Sequence, residues 1–209
     1  TLELADTVVS LRYDSCITGY PLSELSSFKD EIYEEIKDID GKLIVKEYPT
    51  KSASTSTIKN HLNRLVKRGI NPGMIIVDYL NQVKRHTAPS RSGQYDWTEQ
   101  IEISKGLKQL AQDNKCLVLS AFQTNEKGEA RFSKGILDAV DAAYSVQHWG
   151  EEQQCIKFKC DKMRNGRVQP FISTMDWETL SIGPQSAMDP DEKQELKEAI
   201  SSNESTYDL

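Results

Sequence analysis

Three polar residues follow apolar runs in this sequence and could act together on a phosphate ester. Glu3 follows Thr1-Leu2, Asp78 ends the run Met74-Ile75-Ile76-Val77, and Gln123 follows an apolar stretch that begins at Cys116. If these runs are neighbouring parallel strands, their carboxyl ends share one crevice. Hydrolysis of a nucleoside triphosphate uses such a set: a carboxylate that activates water, an acidic residue on the metal ion, and a neutral group that hydrogen-bonds near the γ-phosphate. The alternative is three unrelated residues at strand ends.

A second group of chemical interest is the basic segment Lys162-Met163-Arg164-Asn165-Gly166-Arg167. Lys162 and Arg164 are two residues apart, so on a strand they project to the same side. Asn165-Gly166 predicts a tight hairpin turn beside them. A rigid tip that carries Lys and Arg could reach the phosphates bound by a neighbouring subunit, where arginine suits the spread charge of the transition state. A charged hairpin exposed to solvent is the alternative.

The elements that position these residues alternate between helical and strand patterns, which predicts an α/β fold. Parallel βαβ units come first and an antiparallel hairpin closes the sheet, as in a three-layer mononucleotide-binding fold. We expect helices at residues 7–14, 21–37, 58–66, 97–114 and 136–142, and strands at residues 43–48, 74–78, 116–121, 143–147, 156–160 and 168–174. Residues 81–96 and 124–135 are polar and are predicted to be loops.

Composition indicates one soluble domain with an acidic tail. The chain has 209 residues, of which 37% are hydrophobic and 28% are charged. Residues 188–209 hold seven acidic residues against two lysines, so this tail carries −5 of the formal net charge of −6. The body is therefore nearly neutral and can still carry basic patches. We expect a domain at residues 1–183 and a disordered tail at residues 184–209.

The cysteines and the hydropathy pattern bear on the compartment. Cys16, Cys116, Cys155 and Cys160 have no CxxC spacing, which favours free thiols in a reducing compartment over a zinc site. No apolar run reaches the length of a membrane span, and no signal peptide is visible. We therefore expect a cytoplasmic protein that does not enter a membrane.

Taken in order, these motifs resemble the RecA-like motor domain of DnaB-type replicative helicases, particularly those of tailed phages. The resemblance is carried by Thr1-Leu2-Glu3 with Arg12, then Ile75-Ile76-Val77-Asp78-Tyr79-Leu80, then Gln123-Thr124-Asn125, then Lys162-Met163-Arg164-Asn165-Gly166. Each motif is short, but together they span residues 1–182 in the family's order and spacing. The resemblance implies a RecA-like three-layer fold with a mostly parallel sheet and a C-terminal antiparallel hairpin.

The resemblance also implies a role for each matching residue. Glu3 matches the glutamate that activates water, Asp78 the aspartate that holds Mg²⁺ on ATP through water, and Gln123 the glutamine that senses the nucleotide. Lys162 and Arg164 match the trans-acting lysine and arginine finger. Arg12 matches an arginine near the phosphates. The implied partners are single-stranded DNA, five further copies in a homo-hexamer, a primase and a helicase loader.

The two polar loops match the loops that contact DNA in the family's central channel. The basic residues in or beside these loops suit a phosphate backbone, because sequence-independent binding to single strands is largely electrostatic. These residues are Lys84, Arg85, Arg91, Arg131 and Lys134. A solvated basic loop without DNA contact is the alternative.

One departure from the family is large, because no GxxxxGK[ST] phosphate-binding loop (P-loop) occurs in the 209 residues. In the family this loop precedes the position of Glu3. We therefore expect either the C-terminal part of a helicase or a degenerate paralogue, and the full set of matching residues favours the first. A RecA-type recombination ATPase and a non-catalytic RecA-like interaction module are the alternative functions.

Overall fold

The computed structural model describes residues 1–84, 97–123, 133–149 and 154–187. Five α-helices and six strands lie in this part of the chain, together with two short 3-10 helices. The helices are α1 (Asp6–Thr18), α2 (Lys29–Ile36), α3 (Thr55–Lys67), α4 (Trp97–Asn114) and α5 (Ser133–Ala139). The strands are β1 (Met74–Val77), β2 (Leu117–Ser120), β3 (Ala142–Trp149), β4 (Cys155–Met163), β5 (Phe171–Asp176) and β6 (Ser181–Ala187).

The predicted α/β class is confirmed, but the described strands do not form one mostly parallel sheet. β1 and β2 pair in parallel, whereas β3, β4, β5 and β6 form a separate antiparallel sheet in that order. The physical difference lies in the connections. β1 and β2 are joined through helix α4, as a parallel crossover requires, whereas each of the later strands follows the one before it through a short connection, which suits antiparallel pairing.

The core lies on one face of the parallel pair, beneath α3 and α4. Ile75 and Val77 of β1 point into this core, where they pack with Ile58 and Leu62 of α3. Ile103, Leu107 and Leu110 of α4 complete this apolar layer. The other face of the pair carries Met74, Ile76, Leu117 and Leu119, each about half exposed. The register places Met74 beside Leu117 and Ile76 beside Leu119, so the four side chains form one continuous exposed apolar face.

Helix α3 begins at a capping box that the sequence signals. Ser54 precedes the helix and its hydroxyl accepts a hydrogen bond from the backbone N of Thr57 at 3.2 Å. The Thr57 hydroxyl in turn accepts from the backbone N of Ser54 at 3.3 Å. This reciprocal pair satisfies two of the backbone donors that a helix start leaves without an intrahelical partner.

Residues 43–48, predicted to be a strand, form no regular strand in the structure. Only the end of this segment pairs with a neighbour. The backbone N of Thr1 donates to Lys46 O at 2.9 Å, and the backbone N of Tyr48 donates to Thr1 O at 3.1 Å. Because both hydrogen bonds are made to Thr1, the pairing is too short to count as a strand.

The hairpin around Asn165-Gly166 is also looser than predicted. β4 and β5 pair from Cys155–Thr174 to Phe158–Phe171, and the ladder stops there. β4 itself continues to Met163, because its other neighbour, β3, pairs with it as far as Ala142. The local turn signal thus falls in a long connection rather than a two-residue turn.

The C-terminal part of the predicted domain extends slightly further than expected. β6 runs to Ala187, so the sheet continues four residues past residue 183. The remaining acidic tail, residues 188–209, lies outside the described residues. No helix in the described ranges is both long enough and apolar enough to cross a membrane.

Candidate functional site

The candidate site is assembled by backbone hydrogen bonds between three chain segments. The backbone N of Leu2 donates to Asp78 O at 2.9 Å, which fixes the segment that leads to Glu3 beside the end of β1. β2 runs parallel to β1, with Val77 opposite Ser120. Beyond the strands, the backbone N of Leu80 donates to Ala121 O at 3.0 Å. Glu3, Asp78 and Gln123 therefore follow three adjacent segments at one edge of the sheet.

The floor of this edge is apolar and rigid. Leu2, Val77 and Leu80 are all buried and belong to the main core. The Ser120 hydroxyl donates to Val77 O at 2.7 Å, and the Thr50 hydroxyl donates to Leu2 O at 3.1 Å. Side chains that lie above such a floor are held by well-packed strands, which is how α/β sheets position polar groups for chemistry.

The three polar side chains differ in exposure. Asp78 is half-buried, whereas Glu3 and Gln123 are exposed. Asn81, three residues after Asp78, accepts a hydrogen bond through its Oδ1 from the backbone N of Gln123 at 3.3 Å. The edge thus presents the carboxylates of Glu3 and Asp78 and the amide of Gln123, and the Asn81 side chain holds the backbone of Gln123 in place.

These groups fit a magnesium ion that is shared with a phosphate ligand. Carboxylate and amide oxygens are hard donors, and Mg²⁺ in phosphate-transfer sites keeps several waters and takes only one or two carboxylates from the protein. No group of three or more His, Cys, Asp or Glu residues that could hold a metal occurs among the described residues. Asp78 and Glu3 could supply the one or two carboxylates that such an ion takes from a protein.

The predicted trans-acting residues lie elsewhere, against α5 and the start of β3. Lys162 is half-buried and its Nζ donates to Leu137 O. The backbone N of Arg164 donates to Asp141 O at 2.8 Å, and its Nε lies 3.5 Å from Asp141 Oδ1. Within the described ranges no hydrogen bond or ion pair joins either residue to Glu3, Asp78 or Gln123, so the structure does not bring the two groups together.

Asp141 and Asn81 are positioning residues that the sequence did not reveal. Asp141 accepts a hydrogen bond from Lys108 Nζ and also faces Arg164. The hydrogen bond from Lys108, followed by the charges of Lys108, Arg164 and Lys162, lowers the pKa of Asp141 below its ordinary value. The only local signal for Asp141 is an acidic residue immediately before a strand. For Asn81 it is an amide three residues after the strand-end aspartate.

The remaining predicted residues are less informative. Arg12 is exposed on α1, and no hydrogen bond or ion pair in the described part of the chain joins it to Asp78. Lys84 is exposed, and its backbone N donates to Ala53 O at 2.8 Å. Arg85, Arg91 and Arg131 lie outside the described residues, as does the side chain of Lys134.

Two solved structures share this fold with the chain. One is a DnaB-like replicative helicase, whose structure is described with its interactions with primase, and it aligns at a TM-score of 0.69 and 16% identity. That alignment covers 87% of this chain and 49% of the other. The second, solved as an ATPase domain, aligns at a TM-score of 0.68 and 15% identity, over 89% of this chain and 73% of that domain. At these identities the likeness shows the fold.

The sequence itself shows the family. Residues 18–135, more than half of the chain, match the model of the DnaB-like helicase C-terminal domain. The chain belongs to this family. It is also 28% identical, in an alignment of 153 residues, to the DnaB-like replicative helicase of Enterobacteria phage T4, and the match covers 68% of this chain and 32% of that protein. The chain thus spans about a third of the length of this curated relative.

The family match covers some of the candidate residues and not others. Asp78 and Gln123 lie inside residues 18–135, whereas Glu3, Lys162 and Arg164 lie outside them. Glu3 follows Leu2, whose backbone N donates to Asp78 O. Lys162 lies on β4, and Arg164 follows this strand and faces Asp141.

Proposed function

We propose that this chain forms the catalytic half of a RecA-like ATPase motor in a replicative DNA helicase. The observation that carries the proposal is the hydrogen bond from Leu2 N to Asp78 O, which sets Glu3 beside Asp78 at the edge where β2 delivers Gln123. Family membership supplies the class of activity, and this edge supplies the groups that ATP hydrolysis needs.

Each residue at the edge has a role in this proposal. Asp78 would hold Mg²⁺, and the ion would neutralise charge on the phosphates. Glu3, exposed beside it, orients and deprotonates the attacking water. Gln123 hydrogen-bonds near the γ-phosphate, and its backbone bond to Asn81 ties its position to the turn that follows Asp78. Hydrolysis can thus be signalled to the polar loop that follows Gln123.

Lys162 and Arg164 act on the site of the neighbouring subunit in a homo-hexamer, in this proposal. Their place away from Asp78 within one chain supports action across an interface. Arginine suits this task because its guanidinium keeps its charge and donates two hydrogen bonds in one plane. In the isolated chain, Leu137 O accepts a hydrogen bond from Lys162, and the Asp141 carboxylate faces Arg164. In the assembled ring of the proposal, phosphate oxygens replace these partners.

The proposed ligands are ATP, Mg²⁺ and single-stranded DNA, with a primase and a helicase loader as protein partners. Arg12 lies near the phosphates, and Lys84, Arg85, Arg91, Arg131 and Lys134 contact the DNA backbone. Support for primase comes from the similar helicase whose structure is described with its interactions with primase. The P-loop that cradles the triphosphate is not among these 209 residues. The proposal therefore concerns a polypeptide that contains both a P-loop and the residues described here.

The test is made in a polypeptide that joins these residues to a P-loop segment. Asp78→Ala and Arg164→Ala should each lower DNA-stimulated ATP hydrolysis by about a thousandfold or more, as loss of metal or arginine-finger contacts does elsewhere. Asp30→Asn, an exposed carboxylate on α2, is the matched control and should keep wild-type activity. Full activity in either Ala variant would refute the assignment.

Mixing the two inactive variants tests the action across the interface. In a head-to-tail ring, a site pairs Asp78 of one subunit with Arg164 of the next. Random mixing of equal amounts leaves about a quarter of the interfaces with both residues intact, so activity should return in part. If Arg164 acts within its own subunit, the mixture stays inactive.

A further inference from the structure

A cluster of cationic groups lies where residues 46–48 meet helix α3. Lys46 and Tyr48 are two residues apart on an extended segment and share one side of it. Lys46 Nζ lies 5.5 Å from the centroid of the Tyr48 ring, and that ring lies 6.5 Å from the ring of His61 on α3. Tyr48 also packs against the main core, so it anchors the extended segment to the helix.

Helix α3 adds two arginines to this surface. His61, Arg64 and Arg68 are spaced by three and four residues, which places them on one side of the helix. Arg64 is exposed on the helix, Arg68 is exposed at its C-cap, and Lys46 is exposed across from them. We call Lys46, His61, Arg64 and Arg68 the cationic cluster.

Within the described ranges the cationic cluster has no acidic partner. Arg64 Nε donates to the backbone O of Asn60 at 3.3 Å, and no ion pair holds Lys46, Arg64 or Arg68. Lys59, on the same helix, differs from these residues because it forms an ion pair with Asp113 at 2.7 Å. Burial lowers the pKa of His61, and the charges of Arg64, Lys46 and Arg68 lower it further.

The dipole of α3 accounts for only part of this arrangement. Basic residues in the last turn of a helix are favourable, and Arg64 and Lys67 occupy that turn. Lys46 belongs to a separate segment and His61 to the middle of the helix, so neither is explained in this way. Holding like charges together costs free energy unless an anion binds them.

We propose that the cationic cluster binds the phosphodiester backbone of a nucleic-acid strand, on a surface separate from Glu3, Asp78 and Gln123. Arg64 and Arg68 are one helical turn apart, about 6 Å by the usual rise per residue, so they present two guanidinium forks along one line. Such forks match phosphate oxygens, which recur at regular intervals along a strand. Contacts of this kind give affinity without reading sequence.

The first experiment measures binding of the 209-residue chain to oligothymidylate as a function of salt. The double variant Arg64→Ala/Arg68→Ala should bind about tenfold more weakly at low salt, and its slope of log K against log salt should be shallower by roughly 1.4, at ~0.7 per lost phosphate contact. The control Lys59→Ala/Lys105→Ala also removes two exposed cations, each of which is paired with a carboxylate, and should behave as wild type. Equal slopes for the two double variants would overturn the proposal.

The second experiment follows the His61 ring by NMR titration. Oligothymidylate should raise the pKa of His61 in the wild-type chain, because bound phosphates offset the neighbouring cations. If poly-glutamate of equal charge raises it as much and competes equally well, the partner is an acidic polypeptide and the nucleic-acid proposal fails. The readout needs no ATP hydrolysis, so failure of the proposed ATPase site and failure of this surface are distinguishable.

Discussion

Asp141 is the residue at which the basic side chains of α4 and the β4–β5 connection meet. Its carboxylate accepts a hydrogen bond from Lys108 and faces Arg164, while its backbone O accepts from Arg164 N at 2.8 Å. Two kinds of contact thus hold one arginine. The hydrogen bond from Arg164 N to Asp141 O does not involve the arginine side chain. The side chain can therefore change its partner while this backbone hydrogen bond remains.

The lowered pKa of Asp141 gives a pH-dependent contribution to stability. Because the folded-state pKa is below the unfolded value, the contribution is present above the unfolded pKa of about 3.9 and is lost as the pH falls through the folded value. Asp141→Asn should therefore be less stable than wild type in urea at pH 7, with a difference that shrinks below about pH 4.

A second background checks the cause of this effect. In Lys108→Met the same Asp141→Asn change should have a smaller effect at pH 7, because the main partner has gone. A stability difference that is unchanged between pH 7 and pH 3, or unchanged in the Lys108→Met background, would contradict the role given to Lys108.

At the scale of elements, the approach of α4 to the start of α3 depends on Gly106. A Cβ at this position would lie 2.9 Å from Thr55 Cγ2 and 3.1 Å from its Oγ1. Thr55 is a buried residue in the first turn of α3. The two helices can therefore pack this closely only where α4 has no side chain.

Gly106→Ala should lower stability even though alanine is the better helix former. Helix propensity favours alanine by about 1 kcal/mol, whereas overpacking in a core costs about 1–3 kcal/mol. We expect a net loss of about 1 kcal/mol in urea denaturation. Gly73→Ala is the control, because its Cβ would meet no atom within 4 Å. In a Thr55→Ala background the Gly106→Ala change should cost less, and an equal cost would show that Thr55 is not the obstacle.

The elements also show what local sequence can predict. α4 has the predicted bounds, because the spacing of its apolar residues is a local signal. The pairing of residues 46–48 with Thr1 and the extension of β4 along β3 are set by distant partners, so the predicted strand at 43–48 and the tight Asn165-Gly166 turn are wrong in detail. Asp141 escaped notice for the same reason, since its partners are 33 and 23 residues away in sequence.

At the scale of the whole molecule, the chain carries one part of the proposed nucleotide site without the other. In the proposal, the edge with Glu3, Asp78 and Gln123 binds a metal ion and a water molecule, but the 209 residues contain no GxxxxGK[ST] segment. Backbone N–H groups of that loop supply most of the hold on a triphosphate. Carboxylates alone repel it.

The 209-residue chain should therefore bind Mg·ATP with a dissociation constant weaker than about 1 mM in titration calorimetry. Fusion to a segment with a GxxxxGK[ST] P-loop should restore tight binding, and the same fusion with Asp78→Ala should lose part of it. Micromolar binding by the unfused chain would show that other residues hold the phosphates.

The hydrogen bond from Leu2 N to Asp78 O has a consequence for the order of folding. It joins positions 76 residues apart, and α1, α2, α3 and β1 all lie between them. Closing so long a loop costs entropy that only the packed intervening elements can offset. We therefore expect β1 and α3 to associate early and the neighbourhood of Glu3 and Asp78 to form late. Protection of the Leu2 amide from exchange with deuterium should report when this edge of the sheet has formed.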